Sequence, residues 1–254
     1  MTRRSRIFMP KKQSAERRAH GQPNFPLTPW EKWLSNASYT SAIRSYIESQ
    51  SNIFRDLVLR HPYKNIIELG CGDGTLLMPT IISLHYNYLG VDVSTRALRK
   101  ARINLKEAKL INSYVGDARL MVGDICKLSS LQLNNFVEPD KTLVVLPFNL
   151  IGIIPCVENL LQSLRTSGFD VLIFSYNRSL QASQARAEYY LKCGFTNIQR
   201  VKVNGVGILF TDQKELCSYA YYSSTLMNLF RKTGFKRSKI IPFDNIGIAY
   251  YCVN

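Results

Sequence analysis

The sequence predicts an α/β fold: a doubly wound, mostly parallel seven-stranded sheet with helices on both faces and an antiparallel strand at the C-terminus. Three observations predict it. Short apolar segments alternate with helical periodicity from Tyr63 onward. A glycine-rich turn, Gly70 to Gly74, follows the first apolar segment. The second apolar segment ends in an acid, Asp92, 22 residues after Gly70. A helical extension should precede this domain, and an insertion should follow its fifth strand.

Residues 1–27 read as a flexible basic arm, first charged and then proline-rich at Pro23 and Pro26. Residues 28–62 should form N-terminal helices. Thr28-Pro29-Trp30-Glu31 carries the signals of a helix start: a capping hydroxyl, a first-turn proline and a glutamate that closes a capping box. Trp30, Trp33, Leu34 and Ala37 share one face and anchor that helix. A second helical stretch carries Ile43, Ile47, Phe54, Leu57 and Val58 and ends before His61-Pro62.

Residues 63–254 form the main domain. Asn65–Leu69 reads as a strand, Thr75–Leu84 as a helix and Tyr88–Val93 as the second strand. Thr95–Lys109 places Leu98, Ala101 and Leu105 on one helical face. Arg119–Val122 and Thr142–Leu146 are the next strands. Cys156–Ser167 is a helix that Gly168 terminates, and Asp170–Tyr176 is the fifth strand. Residues 177–222 read as the insertion, with a helix at Ser179–Cys193 and strands near Ile198–Val203 and Val206–Phe210. A last helix, Ser224 to Lys232, precedes an antiparallel pair at Ser238–Phe243 and Ile246–Cys252.

Composition narrows the function. Apolar residues make up 46 % and charged residues 20 %, the balance of a chain that buries a sizeable core. The longest apolar runs, Leu143–Leu146 and Leu150–Pro155, are too short to span a membrane. The N-terminus lacks a secretory apolar stretch, so a cytoplasmic location is expected, with a basic mitochondrial presequence as the alternative. Cysteines at 71, 126, 156, 193, 217 and 252 have no zinc-knuckle spacing and read as reduced thiols. No metal is expected. The net charge of +15 includes +6 from residues 1–20. It suits an anionic partner, RNA among them, or a solvated basic surface.

The chemistry sits in Ile66-Ile67-Glu68-Leu69-Gly70-Cys71-Gly72-Asp73-Gly74-Thr75. Glycine lets the backbone bend sharply and approach a ligand closely. An acid at the tip of the second strand can accept hydrogen bonds from both hydroxyls of a ribose. A nicotinamide site prefers a third glycine where this chain has Thr75. The run from Glu68 to Gly74, with Asp92-Val93 and a later Gly-Asp step, instead resembles the class I S-adenosylmethionine-dependent methyltransferases. No subfamily is identified.

That resemblance implies S-adenosylmethionine as the cofactor. Gly70, Cys71, Gly72 and Gly74 would then line its methionine part. Glu68 would orient the loop or meet the amino group through water, Asp92 would hold the ribose and Val93 would pack on adenine. Asp124, with Ile125, is preferred for the adenine, and Asp117 is the alternative. Phe148 and Asn149, beyond the fourth strand, should border the reactive methyl group. Leu146-Pro147-Phe148-Asn149 departs from the D/N-P-P-F/Y motif of base N-methyltransferases, which counts against a nucleobase amine.

Catalytic candidates are few: Asn149 as a substrate contact, Tyr176 and Tyr222, with Tyr219 and Tyr221 as lid residues. Arg186, Tyr189 and Tyr190 could shape an acceptor pocket. A small-molecule acceptor is favoured because the aromatic insertion can enclose a compact site. An RNA or protein acceptor docked by the basic arm is the second reading. A non-catalytic binding module is a third.

Overall fold

The computed structural model describes residues 38–133, 137–212 and 214–254. The expected arm and the helix starting at Thr28 lie outside those residues. Within them, a seven-stranded sheet is flanked by helices, and a separate three-stranded sheet follows the fifth strand.

Helix α1 (Ser41–Val58) opens with the Thr40 hydroxyl accepting the Ile43 N–H, a side-chain cap for an orphan amide. Strand β1 (Asn65–Leu69), helix α2 (Met78–Ser83), strand β2 (Asn87–Asp92), helix α3 (Thr95–Ile111) and strand β3 (Ala118–Val122) follow. Then come β4 (Thr142–Leu146), α4 (Val157–Thr166), β5 (Asp170–Tyr176) and α5 (Leu180–Lys192). The second sheet comprises β6 (Gln199–Val203), β7 (Gly207–Thr211) and β8 (Cys217–Tyr221). Helix α6 (Ser223–Thr233) leads to β9 (Arg237–Phe243) and β10 (Gly247–Val253).

The large sheet has the order β3-β2-β1-β4-β5-β10-β9. Its first five strands are mutually parallel, and β10 runs antiparallel to both β5 and β9. Strand order reverses between β1 and β4, which opens a crevice beyond the strand C-termini at that point.

The core is divided by the two-residue period of the strands. Ile66, Leu143, Val145, Leu172 and Phe174 join one apolar cluster, with α1, α2 and α5. Ile67, Leu69, Val144, Leu146, Val171 and Ile173 join the opposite cluster, with α4 and α6. Every residue of β4 is buried, as expected of a central strand covered on both faces.

Three sequence expectations need correction. Helix α2 spans six residues rather than Thr75–Leu84. The Asp73 carboxylate takes both the N–H and the hydroxyl of Thr75, which holds the preceding turn open. Tyr219 and Tyr221 belong to β8, a strand the aromatic run concealed, and are not loop residues. The cysteines are not all reduced: Cys126 and Cys156 form a disulfide, while Cys71, Cys193, Cys217 and Cys252 are free. Local spacing gave no hint, because tertiary packing brings the segment after β3 against the start of α4. No helix among the described residues is long and apolar enough to cross a membrane.

Thiol titration of the denatured, unreduced chain should find the four free cysteines. Cys156→Ser should lower unfolding free energy by about 2–4 kcal/mol, since the bridge closes a loop of 30 residues. A count of six thiols would remove the bridge.

Candidate active site

The site is built around the turn from β1 to α2. Gly70, Gly72 and Gly74 all have left-handed backbones, with φ of 68°, 57° and 76°. A side chain at Gly70 would be strained by that φ and would strike Leu150 at 2.8 Å. The turn is tied to the next strand: the Gly72 N–H donates to Asp92 Oδ2 at 2.9 Å. Asp92 Oδ1 accepts the Ser94 N–H at 2.7 Å, and the Ser94 hydroxyl caps α3 through Ala97. Each carboxylate oxygen has a second lone pair for a ligand hydroxyl.

The electrostatics of the turn are acidic. Glu68 is fully buried and accepts the Tyr88 hydroxyl at 2.8 Å on Oε2, while Oε1 has no partner. Burial pushes its carboxyl up to about 8, with the Tyr88 hydroxyl and the Leu77 backbone N–H opposing the rise and the nearby Asp92 and Asp73 adding to it. Burial also raises Asp92, against the pull of the backbone N–H groups of Ser94, Gly72 and Val93. Such a cluster favours a cationic ligand, which would relieve the mutual repulsion.

The rim has an apolar side. Val93 is 68 % exposed directly after Asp92, an open surface suited to a flat apolar ring. Asp124 stands past the end of β3 and accepts the Cys126 N–H, with Ile125 beside it. Asp117 precedes β3, at the opposite end of the strand, and pairs with Arg119. Only Asp124 of the two is on the crevice side.

Beyond β4 the chain turns sharply. Phe148 and Asn149 have successive left-handed backbones, with φ of 43° and 58°, an arrangement that surrounding contacts must hold. The Phe148 N–H donates to Gln50 Oε1 at 2.8 Å. The Phe148 ring packs against Tyr39, Tyr46, Tyr176 and Tyr189.

Asn149 does different work from the substrate contact its position suggested. Its Nδ2 donates to Ser218 Oγ and the Tyr219 carbonyl, and its Oδ1 accepts the Ser175 hydroxyl. The side chain therefore staples β8 to the tips of β4 and β5. Gly152 permits the close approach, because a Cβ there would lie 2.2 Å from the Tyr219 carbonyl oxygen. Arg186 extends the network. It is 1 % exposed and donates to Tyr190 Oη, the Ile208 carbonyl and both Ser218 oxygens. Tyr222 lies under the Arg178 guanidinium at 4.6 Å, ahead of α6. Tyr176 is buried, and burial drives its hydroxyl well above the ordinary tyrosine value.

Sequence reasoning missed Gln50 and Ser218. Both act across the fold, 98 and 69 residues from their partners Phe148 and Asn149, and neither sits in a local motif.

Comparison with known proteins gives this geometry its class. A family described as a methyltransferase domain matches residues 60–234. The chain belongs to that family, and it is a Rossmann-like, S-adenosylmethionine-dependent methyltransferase. Solved structures share the fold at low identity. Magnesium protoporphyrin IX methyltransferase from Synechocystis, with bound S-adenosylhomocysteine, is 12 % identical with a TM-score of 0.55. The match covers 89 % of this chain and 92 % of that one. A Pyrococcus horikoshii protein is 16 % identical with a TM-score of 0.56, covering 90 % of this chain and 99 % of its own. The glycopeptide N-methyltransferase MtfA with S-adenosylhomocysteine is 14 % identical with a TM-score of 0.51, covering 80 % and 86 %. No curated protein matches the chain.

The raised Glu68 value has a testable sign. Folding takes up a proton at this carboxyl, so its contribution to stability is complete below the unfolded value near 4.5 and is lost as pH rises toward 8. Between pH 5 and 7 the unfolding free energy should fall, relative to Glu68→Gln, by about 1.4 kcal/mol per pH unit. Parallel stability profiles for the two proteins would place the carboxyl in an ordinary environment.

Proposed function

We propose that the chain methylates a small-molecule acceptor, with its cofactor held by the turn from Glu68 to Gly74 and by the tips of β2 and β3. Gly70, Cys71, Gly72 and Gly74 line the methionine part, and Glu68 reaches its amino group through water. Asp92 accepts the ribose hydroxyls. Val93 packs on the adenine, Ile125 offers it a backbone contact, and Asp124 accepts from it. When bound, S-adenosylmethionine supplies an electrophilic methyl group on a sulfonium.

The protein's share is to bind, orient and keep water away. Phe148 walls the methyl side of the cleft with an apolar ring. The Asp92–Gly72 hydrogen bond fixes the glycine turn before any ligand arrives, so little ordering cost falls on binding. Tyr176 keeps its proton and serves as a donor, not a base.

One observation carries the preference for a small acceptor. The sheet β6-β7-β8 and helix α5 are bolted to the β4 tip by the Asn149, Ser218 and Arg186 network. That attachment supports a walled pocket over an open groove for a macromolecule. The glycopeptide acceptor named for one structural neighbour is a further instance of modest-sized chemistry on this fold.

Calorimetry with S-adenosylhomocysteine tests the cofactor assignment. Asp92→Ala should weaken binding by about 1–3 kcal/mol through lost hydrogen bonds to a charged group. Asp124→Ala should weaken it less, and Asp117→Ala should leave it unchanged. Undiminished affinity in Asp92→Ala would defeat the ribose assignment.

A further inference from the structure

Helix α3 has two contrasting faces. The inner one is ordinary: Leu98, Ala101, Leu105 and Ala108 are buried against the sheet. On the opposite side Ile103 and Leu110 stand about two turns apart and so share a line along the helix. They are 63 % and 72 % exposed. Ile111, the last helical residue, is 81 % exposed, and Val115 beyond it is 90 % exposed. Single exposed apolar residues are common on protein surfaces, whereas four along one helix and its exit point to an interaction.

The charges around that line are of one sign. The helix carries Arg96, Arg99, Lys100, Arg102, Lys106 and Lys109 against Glu107, a net +5. Arg99, Lys100, Arg102 and Lys106 are exposed. Helix stability does not account for them. Arg99 with Arg102, and Arg102 with Lys106, are like charges three and four residues apart, which repel on a helix surface. Glu107 has no cation three or four residues away on either side. Arg96 stands in the first turn, which holds no acid and where the helix dipole disfavours a cation. A surface dense in negative charge would relieve these repulsions.

We propose that the outer face of α3 docks the protein on a membrane surface rich in anionic phospholipid. Two kinds of contact fit that partner. Anionic headgroups pair with the cations, each of which strengthens binding about fivefold. Ile103, Leu110, Ile111 and Val115 enter the boundary between headgroups and acyl chains and leave water. A nucleic acid would satisfy the cations and leave those four side chains wet. The apolar end of the face has a firm base: the Tyr114 hydroxyl lies between the Tyr86 and Asp117 carbonyls, and Lys109 sits over the Tyr114 ring at 5.4 Å. The other end begins at the crevice rim, where the Ser94 N–H donates to Asp92 and the Ser94 hydroxyl caps the helix. The docked face therefore ends beside the glycine turn.

The full chain should sediment with vesicles of equal parts phosphatidylserine and phosphatidylcholine and stay in solution with pure phosphatidylcholine vesicles. The double variant Arg99→Gln/Lys106→Gln should weaken binding to the anionic vesicles about 25-fold, from two fivefold losses. Ile103→Ser/Leu110→Ser, with every charge kept, should weaken it about tenfold. Both variants change exposed residues only and should melt no lower than the parent. No binding to anionic vesicles, equal binding to both vesicle types, or unchanged binding in either variant would overturn the proposal. Binding of polyuridylate that falls in Arg99→Gln/Lys106→Gln and is indifferent to Ile103→Ser/Leu110→Ser, with the vesicles left unbound, would make this a nucleic-acid surface instead.

Discussion

The hydrogen bond from the Gly72 N–H to Asp92 Oδ2 is the constraint on which the site depends. It joins the loop after β1 to the tip of β2 and sets where the glycine turn can lie. Left-handed backbone at Gly70, Gly72 and Gly74 makes the bend possible, and the carboxylate makes it single-valued. Burial raises the Glu68 carboxyl to about 8, so it keeps its proton at neutral pH beneath the turn.

Beyond β5 the fold also buries a charge. Arg186 lies buried among Tyr176, Tyr190 and Phe210 with its charge balanced only by neutral oxygens.

The parallel sheet was legible in the sequence because its signals are local. The range Asp170–Tyr176 carries the apolar run Val171–Phe174, and Ser179 caps α5 through the Ala182 N–H as a serine before a helix should. The glycine turn and Asp92 lie within one supersecondary unit, so their spacing speaks for itself. What was hidden is long-range. Gln50 reaches Phe148, Asn149 reaches Ser218, and Cys126 reaches Cys156 only after the helices have docked. The partners of Asn149 were hidden for the same reason: two of them come from a sheet folded far downstream. Strand β8 escaped because Tyr219 and Tyr221 read as lid residues ahead of the last helix.

The bridge between Cys126 and Cys156 makes a covalent ring of the segment that contains β4, the strand at the centre of the large sheet. A single peptide cut inside that ring yields two pieces that remain one molecule until the sulfurs are separated. The middle of the sheet therefore keeps its connection to both flanks through a break that would divide an unbridged chain in two.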